Sequence, residues 1–422
     1  MSTDPTWNPE QLFKLDPDGN WWIKFPMAET IDAFYKDPQK ALDFVLFALQ
    51  LPRDRYETMI DAAVSHVAEE DLPVLASTAL RILQANPMHK RANRLIGDIG
   101  LQRPTILHPY LQSLYKLKFH VRTTYPWRES SDLYLDFLSA ERWKEGLDRR
   151  DWAFAQRCLL EARSPSTLHA ALAPLSKPLS SVGGETYLLS EVGFHLKDGS
   201  LDPLYQEQSW HLTFTESGYM PRWHFQDHHH PTWSLATEPE EHLFGGTLED
   251  RICGVCGQPL HRLISLEPVP AELHVSLPQL TFATCLSCMG WDGGVLYYQH
   301  DSQGLPISLD VQEVFDEPEF PAQPLPTTRV QLAKSPPRWR WQEWGNANSR
   351  QNLHRLGGYP SWVQSPDYPE CSQCGKVMTF ILQLDSDLPT TEGDAWLWGS
   401  GGIAYTFWCD SCRVSAFHWQ CT

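Results

Sequence analysis

The sequence has no apolar run approaching the ~20 residues needed to span a bilayer. Its longest candidate, Phe44 to Leu49, is short and suits one face of an amphipathic helix. An apolar leader is also missing, because the first residues carry Asp4, Glu10 and Asp16 in place of a hydrophobic stretch. No P-loop, dinucleotide fingerprint or Ser-His-Asp pattern appears, so nucleotide-dependent and serine-hydrolase chemistry have no motif behind them. Basic residues are scarce: 34 Lys and Arg stand against 52 Asp and Glu, a formal net charge of −18. The imbalance is −1 over residues 1–180 and −17 over residues 181–422. Such a surface repels nucleic-acid phosphate and anionic lipid and attracts a basic partner. The expectation is a cytoplasmic protein with neither a nucleic-acid nor a membrane partner.

A chain of 422 residues with 42% hydrophobic content predicts two or three domains with real cores. Twelve of the 18 Trp lie beyond residue 180, and large aromatics can fill a small β-rich core with few residues. Residues 1–28 read as an irregular lead-in with strand character from Trp21 to Phe25. Residues 29–175 read as an α-helical, solenoid-like domain. Asp37-Pro38 is a helix start, a capping side chain before a proline at the first helical position. Ala41, Leu42, Val45, Leu46 and Leu49 follow at helical spacing. Further helices are predicted over Tyr56 to Val67, over Leu75 to Leu83, from Asn86-Pro87 to an end at Gly97 to Gly100, and near Ile106 to Phe119 and Ser131 to Ala162. No strict repeat period is visible.

Pro165, Pro174, Pro178 and Gly183-Gly184 mark a boundary. Beyond it come short aromatic or β-branched segments that predict strands: Tyr187 to Leu189, His211 to Phe214, Leu260 to Ile264 and Val295 to Tyr298. A proline-rich linker over 316–337 separates two β-rich halves, 181–315 and 338–422. The fold class is thus α+β, a helical domain followed by a β-rich region.

Eight of the ten cysteines form four Cys-x-x-Cys pairs: Cys253/Cys256, Cys285/Cys288, Cys371/Cys374 and Cys409/Cys412. Two cysteines three apart on a tight turn can aim both sulfurs at one ion, and two such turns complete a tetrahedron. Without an export signal they read as thiolate ligands rather than disulfides. Gly257 and Gly375 follow the second cysteine of their pairs, where a positive φ is needed. Each half has the order knuckle, strand, return strand, knuckle, the plan of a zinc ribbon. Phe282-Ala-Thr-Cys285 and Tyr405-Thr-Phe-Trp-Cys409 are the return strands. The intervals of 28 and 34 residues between pairs exceed the usual ~15–20 and predict an inserted loop or hairpin in each. Pairing in sequence order gives two structural Zn2+ ions; a crossed pairing between halves is the alternative. Cys158 reads as a buried small residue, and Cys421 has no partner at ligand spacing.

His224 with His228-His229-His230 is a second metal-like cluster, read as a loop of exposed imidazoles. Gly399 to Gly402 reads as a turn. Asp385 and Asp387 would share a face of one strand and could form a carboxylate pair, although a turn role suits Asp-Ser-Asp better. Arg338-Trp-Arg-Trp341 is the one basic-aromatic patch that favours nucleic acid.

Three segments, Leu356 to Gln364, Phe380 to Asp387 and Trp398 to Phe407, resemble in order the bacterial YwqG-like domain family, related to programmed-cell-death-protein-2 and Tsr-type factors. The resemblance covers about 330–422 and extends back to 181 through the duplicated half. It implies a β-rich protein-binding domain and supplies no catalytic residues. The reading that follows is a zinc-stabilised module, not an enzyme, that holds a basic protein. An immunity or antitoxin role against a toxin comes first and a chaperone for a ribosomal protein second. An enzyme built on Asp385 and Asp387 is the remaining class.

Overall fold

The structure is a computed structural model. It describes residues 7–15, 21–23, 27–51, 57–117, 124–144, 146, 148–173, 185–216, 219, 230–288, 294–310, 318 and 321–422. The chain divides into two compact units, residues 1–192 with 229–231, and 193–228 with 232–422.

Among its described residues, the first unit is helical apart from the short strands β1 (Phe13–Leu15) and β2 (Trp21–Ile23). Its helices are α1 (Met27–Lys36), α2 (Pro38–Ala48), α3 (Glu57–His66), α4 (Leu72–Ala85), α5 (Lys90–Gln102), α6 (Leu111–Leu117), α7 (Leu135–Arg142), α8 (Arg149–Ala162), α9 (Pro165–Leu172) and α10 (Glu185–Ser190). Asp37 caps α2 as expected, its carboxylate accepting from the Gln39 N–H at 3.1 Å. Consecutive helices pack on one another, as in α2–α3, α4–α5, α7–α8 and α8–α9. Their apolar stripes, such as Ala92, Leu95, Ile96 and Ile99 of α5, share one core with α2 and α4.

Three local elements differ from expectation. Asn86-Pro87 does not start a helix: Asn86 ends α4, and α5 begins after His89, whose Nδ1 accepts from the Ala92 N–H. Gly97 and Gly100 do not end α5, which runs on to Gln102. Gly100 is a packing residue, because a Cβ there would lie 2.9 Å from the backbone nitrogen of Pro126. Tyr187 to Leu189 is helical, not a strand. Leu189 and Val192, three apart, are both fully buried, and that helical spacing overrides the β-forming composition.

The second unit is β-rich. The hairpin β3 (Phe194–Lys197) and β4 (Ser200–Pro203) precedes a sheet built from β5 (Ser209–Phe214), β6 (Glu241–Phe244), β7 (Thr247–Ile252), β8 (Pro259–Leu266), β9 (Leu280–Thr284), β10 (Leu296–His300), β11 (Pro306–Ser308), β12 (Thr328–Lys334), β13 (Arg355–Gly357), β14 (Thr379–Asp385), β17 (Ile403–Cys409) and β18 (Val414–Gln420). A small hairpin, β15 (Leu388–Pro389) with β16 (Ala395–Trp396), interrupts that run. The strand order is β11-β10-β18-β17-β14-β13-β5-β12-β6-β8-β7, with β9 on β8. Its ends meet. The Thr281 N–H of β9 donates to the Gly304 carbonyl beside β11 at 2.9 Å, and Arg251 of β7 pairs with Asp301 at 2.8 Å.

Both β-rich halves therefore lie in one sheet. The segment 316–337, expected to be a linker, contributes β12, which sits between β5 and β6. Val330, Leu332 and Ala333 are buried there, which a short β-branched run among prolines does not reveal in sequence. Of the other expected boundary, Pro165 is instead the first residue of α9, while Pro174, Pro178 and Gly183-Gly184 lie outside the described residues; the compact units divide at Val192 and Gly193.

Candidate metal centres

Each half begins with the same turn. The Cys253 N–H donates to Gln258 O and the Gly257 N–H to Cys253 O; the Cys371 N–H donates to Lys376 O and the Gly375 N–H to Cys371 O, all at 2.8–2.9 Å. Gly257 and Gly375 hold φ of 70° and 68°, the left-handed values the turn requires. The strand after each turn carries a bulge at the same place. The register slips at Leu263, seven residues after Cys256, and at Ile381, seven after Cys374. A bulge adds twist and bends a strand. In both halves it falls opposite the end of the return strand, two to three residues before that strand's cysteine. The interruptions expected between pairs are a loop with the 3-10 turn Ala271–Leu273 in the first half and the β15–β16 hairpin in the second.

The cysteines assemble in sequence order. The sulfurs of Cys253, Cys256, Cys285 and Cys288 lie within 4.8 Å of one another, as do those of Cys371, Cys374, Cys409 and Cys412. Individual Sγ–Sγ distances are 3.6 Å for Cys253–Cys288, 3.4 Å for Cys256–Cys285 and 3.7 Å for Cys374–Cys409. A tetrahedron with zinc–sulfur bonds of about 2.3 Å has edges of about 3.8 Å. The four-thiolate set and its spacing thus fit a zinc ion at each site. Sulfurs packed this closely cannot all ionise without a cation. Contact with Cys285 and Cys288 holds the Cys253 thiol down, and Cys253 in turn pushes Cys288 up.

The two sites differ in depth. Cys253, Cys256 and Cys285 are buried in the sheet's main core, with Cys288 half-buried. In the second site Cys371 and Cys409 join a separate aromatic core, while Cys374 is exposed. Strand β10 passes both sites. Tyr298 presents its hydroxyl to the first, where it accepts from the Cys285 N–H at 3.2 Å. Tyr297 and Gln299, on the strand's other face, reach the second, bonding Glu370 O at 3.0 Å and Cys412 O at 2.8 Å.

The remaining sequence candidates resolve differently. Asp385 is buried and accepts from the N–H groups of Ser349 and Ser386, and burial raises its carboxyl to about 7. Asp387, at φ 66°, accepts from Ser349 Oγ. Both side chains are used to pin a turn. Trp339 and Trp341 are buried, with Arg338 and Arg340 lying over their rings at 4.8 and 5.2 Å, so the two indoles of the patch are packed inward. His230 is buried, contrary to the expected exposed loop; His224, His228 and His229 lie outside the described residues. Cys158 is buried within α8.

Sequence reasoning missed a buried polar network centred on Arg355. Its guanidinium donates to Tyr359 O at 2.7 Å and Ser361 Oγ at 2.9 Å, and reaches Gln383 Oε1 at 3.3 Å. Gln383 also receives the Ser361 N–H, and Tyr405 OH donates to Ser361 O. Segments 356–364 and 380–387 supply the acceptors Tyr359, Ser361 and Gln383, and segment 398–407 adds Tyr405, which braces Ser361. A charged residue preceding Leu356-Gly-Gly in an apolar strand was the available signal.

Comparison with known proteins covers part of the chain. Residues 294–416 match a family described as a domain of unknown function, DUF1963; the match includes the second cysteine group and excludes the first. A stretch of 68 residues is 40% identical to the uncharacterized protein YpfL of Salmonella typhimurium, covering 16% of this chain and 15% of that relative. The chain thus spans a small fraction of the relative's length. No solved structure matches. The C-terminal region is therefore similar to an uncharacterised domain family, and it holds one of the two four-cysteine groups able to bind metal.

Proposed function

We propose that the protein is a zinc-stapled binding module whose acidic β-rich region holds a basic protein. The carrying observation is the convergence of eight cysteines into two sets of four sulfurs, each set within 4.8 Å. Four thiolates close the coordination sphere, so each zinc is structural and leaves no open position for catalysis. With the metals fixing the sheet, the −17 of residues 181–422 supplies the attraction for a basic partner. A toxin held by an immunity protein suits this charge, as does a ribosomal protein held by a chaperone. The turn role of Asp385 and Asp387 speaks against the enzyme reading, and the inward packing of Trp339 and Trp341 against the nucleic-acid reading.

The test is a tagged pull-down washed at stepped salt, with zinc measured per chain. About two zinc per chain and one basic protein released by rising salt are expected. A folded protein without zinc, or capture indifferent to salt, would refute the proposal.

A further inference from the structure

Strand β12 leaves the sheet at Lys334 and passes through Ser335-Pro336-Pro337 into the 3-10 turn Pro337–Trp339. This segment, the β4–β5 connection and the 3-10 turn Ala271–Leu273 bound a cleft of about 850 Å³. That volume is in the range of pockets that take small molecules or peptide ends. Charges of opposite sign come from different walls. Lys334 and Arg340 belong to the β12 side, Glu207 to the β4–β5 connection and Glu272 to the 3-10 turn. Lys334, Glu207 and Glu272 are exposed and form no ion pair among the described residues.

One hydroxyl lining the cleft, that of Ser335, has a fixed polarity. Gln342 Nε2 donates to Gln351 Oε1 at 2.9 Å and to the Asn352 carbonyl at 3.3 Å, so its Oε1 faces His211 Nε2 at 3.1 Å. An acceptor there requires the His211 proton on Nε2. Nδ1 then accepts from Ser335 Oγ at 2.9 Å. The proton of Ser335 is committed inward, and its lone pairs remain for a donor arriving in the cleft. Ser209 also lines the cleft; it is 1% exposed and its hydroxyl finds no hydrogen-bond partner among the described residues. An unsatisfied buried hydroxyl is costly, and a polar ligand relieves that cost.

We propose that this cleft takes the C-terminal end of a basic peptide. The terminal carboxylate meets Lys334, a main-chain N–H meets Ser335 Oγ, and basic side chains meet Glu207 and Glu272. The proposal rests on the reading of a basic protein partner and names the part of it that is held. Capture of a chain terminus by complementary charge and main-chain bonds is a recurring mode of peptide recognition.

Fluorescence anisotropy on the full-length zinc-loaded protein tests it, with a fluorescein-labelled hexapeptide ending in two lysines as probe. Saturable binding is expected, weakened tenfold or more by amidating the terminal carboxylate or by Lys334→Ala, and severalfold by Glu272→Ala. Both side chains are exposed, so the variants keep the fold. Equal binding of acid and amide, or no effect of Lys334→Ala, overturns the proposal. So does displacement by free lysine as effective as by unlabelled peptide, which would mark an amino-acid site. A partner captured equally by wild type and Lys334→Ala overturns the cleft while leaving the acidic-surface reading intact.

Discussion

Tyr297 and Tyr298 are neighbours in sequence and serve different cysteine groups: the Tyr298 hydroxyl accepts from the Cys285 N–H, and the Tyr297 hydroxyl donates to the Glu370 carbonyl beside Cys371. Tyr298 is buried and also bonds Thr284 Oγ1 at 3.1 Å. Tyr298→Phe leaves a buried N–H without its acceptor and should cost about 1–3 kcal/mol. Tyr297→Phe loses a more exposed bond and should cost about 0.5–1.5 kcal/mol. Urea midpoints measure both, and an equal or reversed ranking contradicts the assignment.

The knuckle glycines are not equivalent. A Cβ on Gly254 would lie 1.8 Å from the Asp310 carbonyl oxygen, so Gly254→Ala must move backbone and should cost about 1–3 kcal/mol or more. Gly375 has open space around it, and Gly375→Ala meets only its positive φ, about 1–2 kcal/mol. Thermal melts should show the larger shift for Gly254→Ala, with earlier loss of metal from the first site.

Metal should leave the two sites at different rates. Cys374 is exposed, whereas Cys253, Cys256 and Cys285 are at most 3% exposed. A chelator should therefore release zinc in two phases, and Cys374→Ser should abolish the fast one. Loss of a whole site removes on the order of 10 kcal/mol of metal-linked folding energy, whereas Cys158→Ser should be mild. Release in a single phase, or a fast phase that survives Cys374→Ser, would show that depth does not govern exchange.

Acid should weaken the β-rich unit. Burial lowers His211 and His354 to about 3, and His261 and His300 to about 4. A lowered histidine adds stability that is present above its unfolded value near 6.5 and lost as pH falls toward the folded value. Asp385 acts oppositely. Raised by burial to about 7, it adds stability below the ordinary carboxyl range that is lost as pH rises through about 7. Four histidines outweigh one carboxyl, so urea midpoints should fall between pH 6.5 and 4. The fall should be steeper in Asp385→Asn. A midpoint that rises toward pH 5 would contradict this balance.

Local signals were legible in sequence and long-range pairing was not. Asp37-Pro38 announced α2, and the cysteine spacing announced both sulfur clusters in their order. The hydrogen-bond partners of β12 were hidden, because Thr328–Lys334 pairs with Ser209–Phe214 and Glu241–Phe244, each far away along the chain. No local period encodes such a choice. Arg355 was overlooked for a related reason: its acceptors come from Tyr359, Ser361 and Gln383, and only the folded sheet brings them to one guanidinium. Tyr187 misled because composition pointed to a strand while the burial of Leu189 and Val192 fixed a helix.

The place of β5 between β12 and β13 has a consequence for synthesis. More than a hundred residues separate Phe214 from Thr328, the start of its first neighbour. At about 5–20 residues per second, the ribosome leaves β5 without either partner strand for roughly 6–23 s. During that interval Trp210, Leu212 and Phe214 form an apolar segment with open backbone edges. Slow translation would lengthen the time in which that segment can pair with the wrong strand.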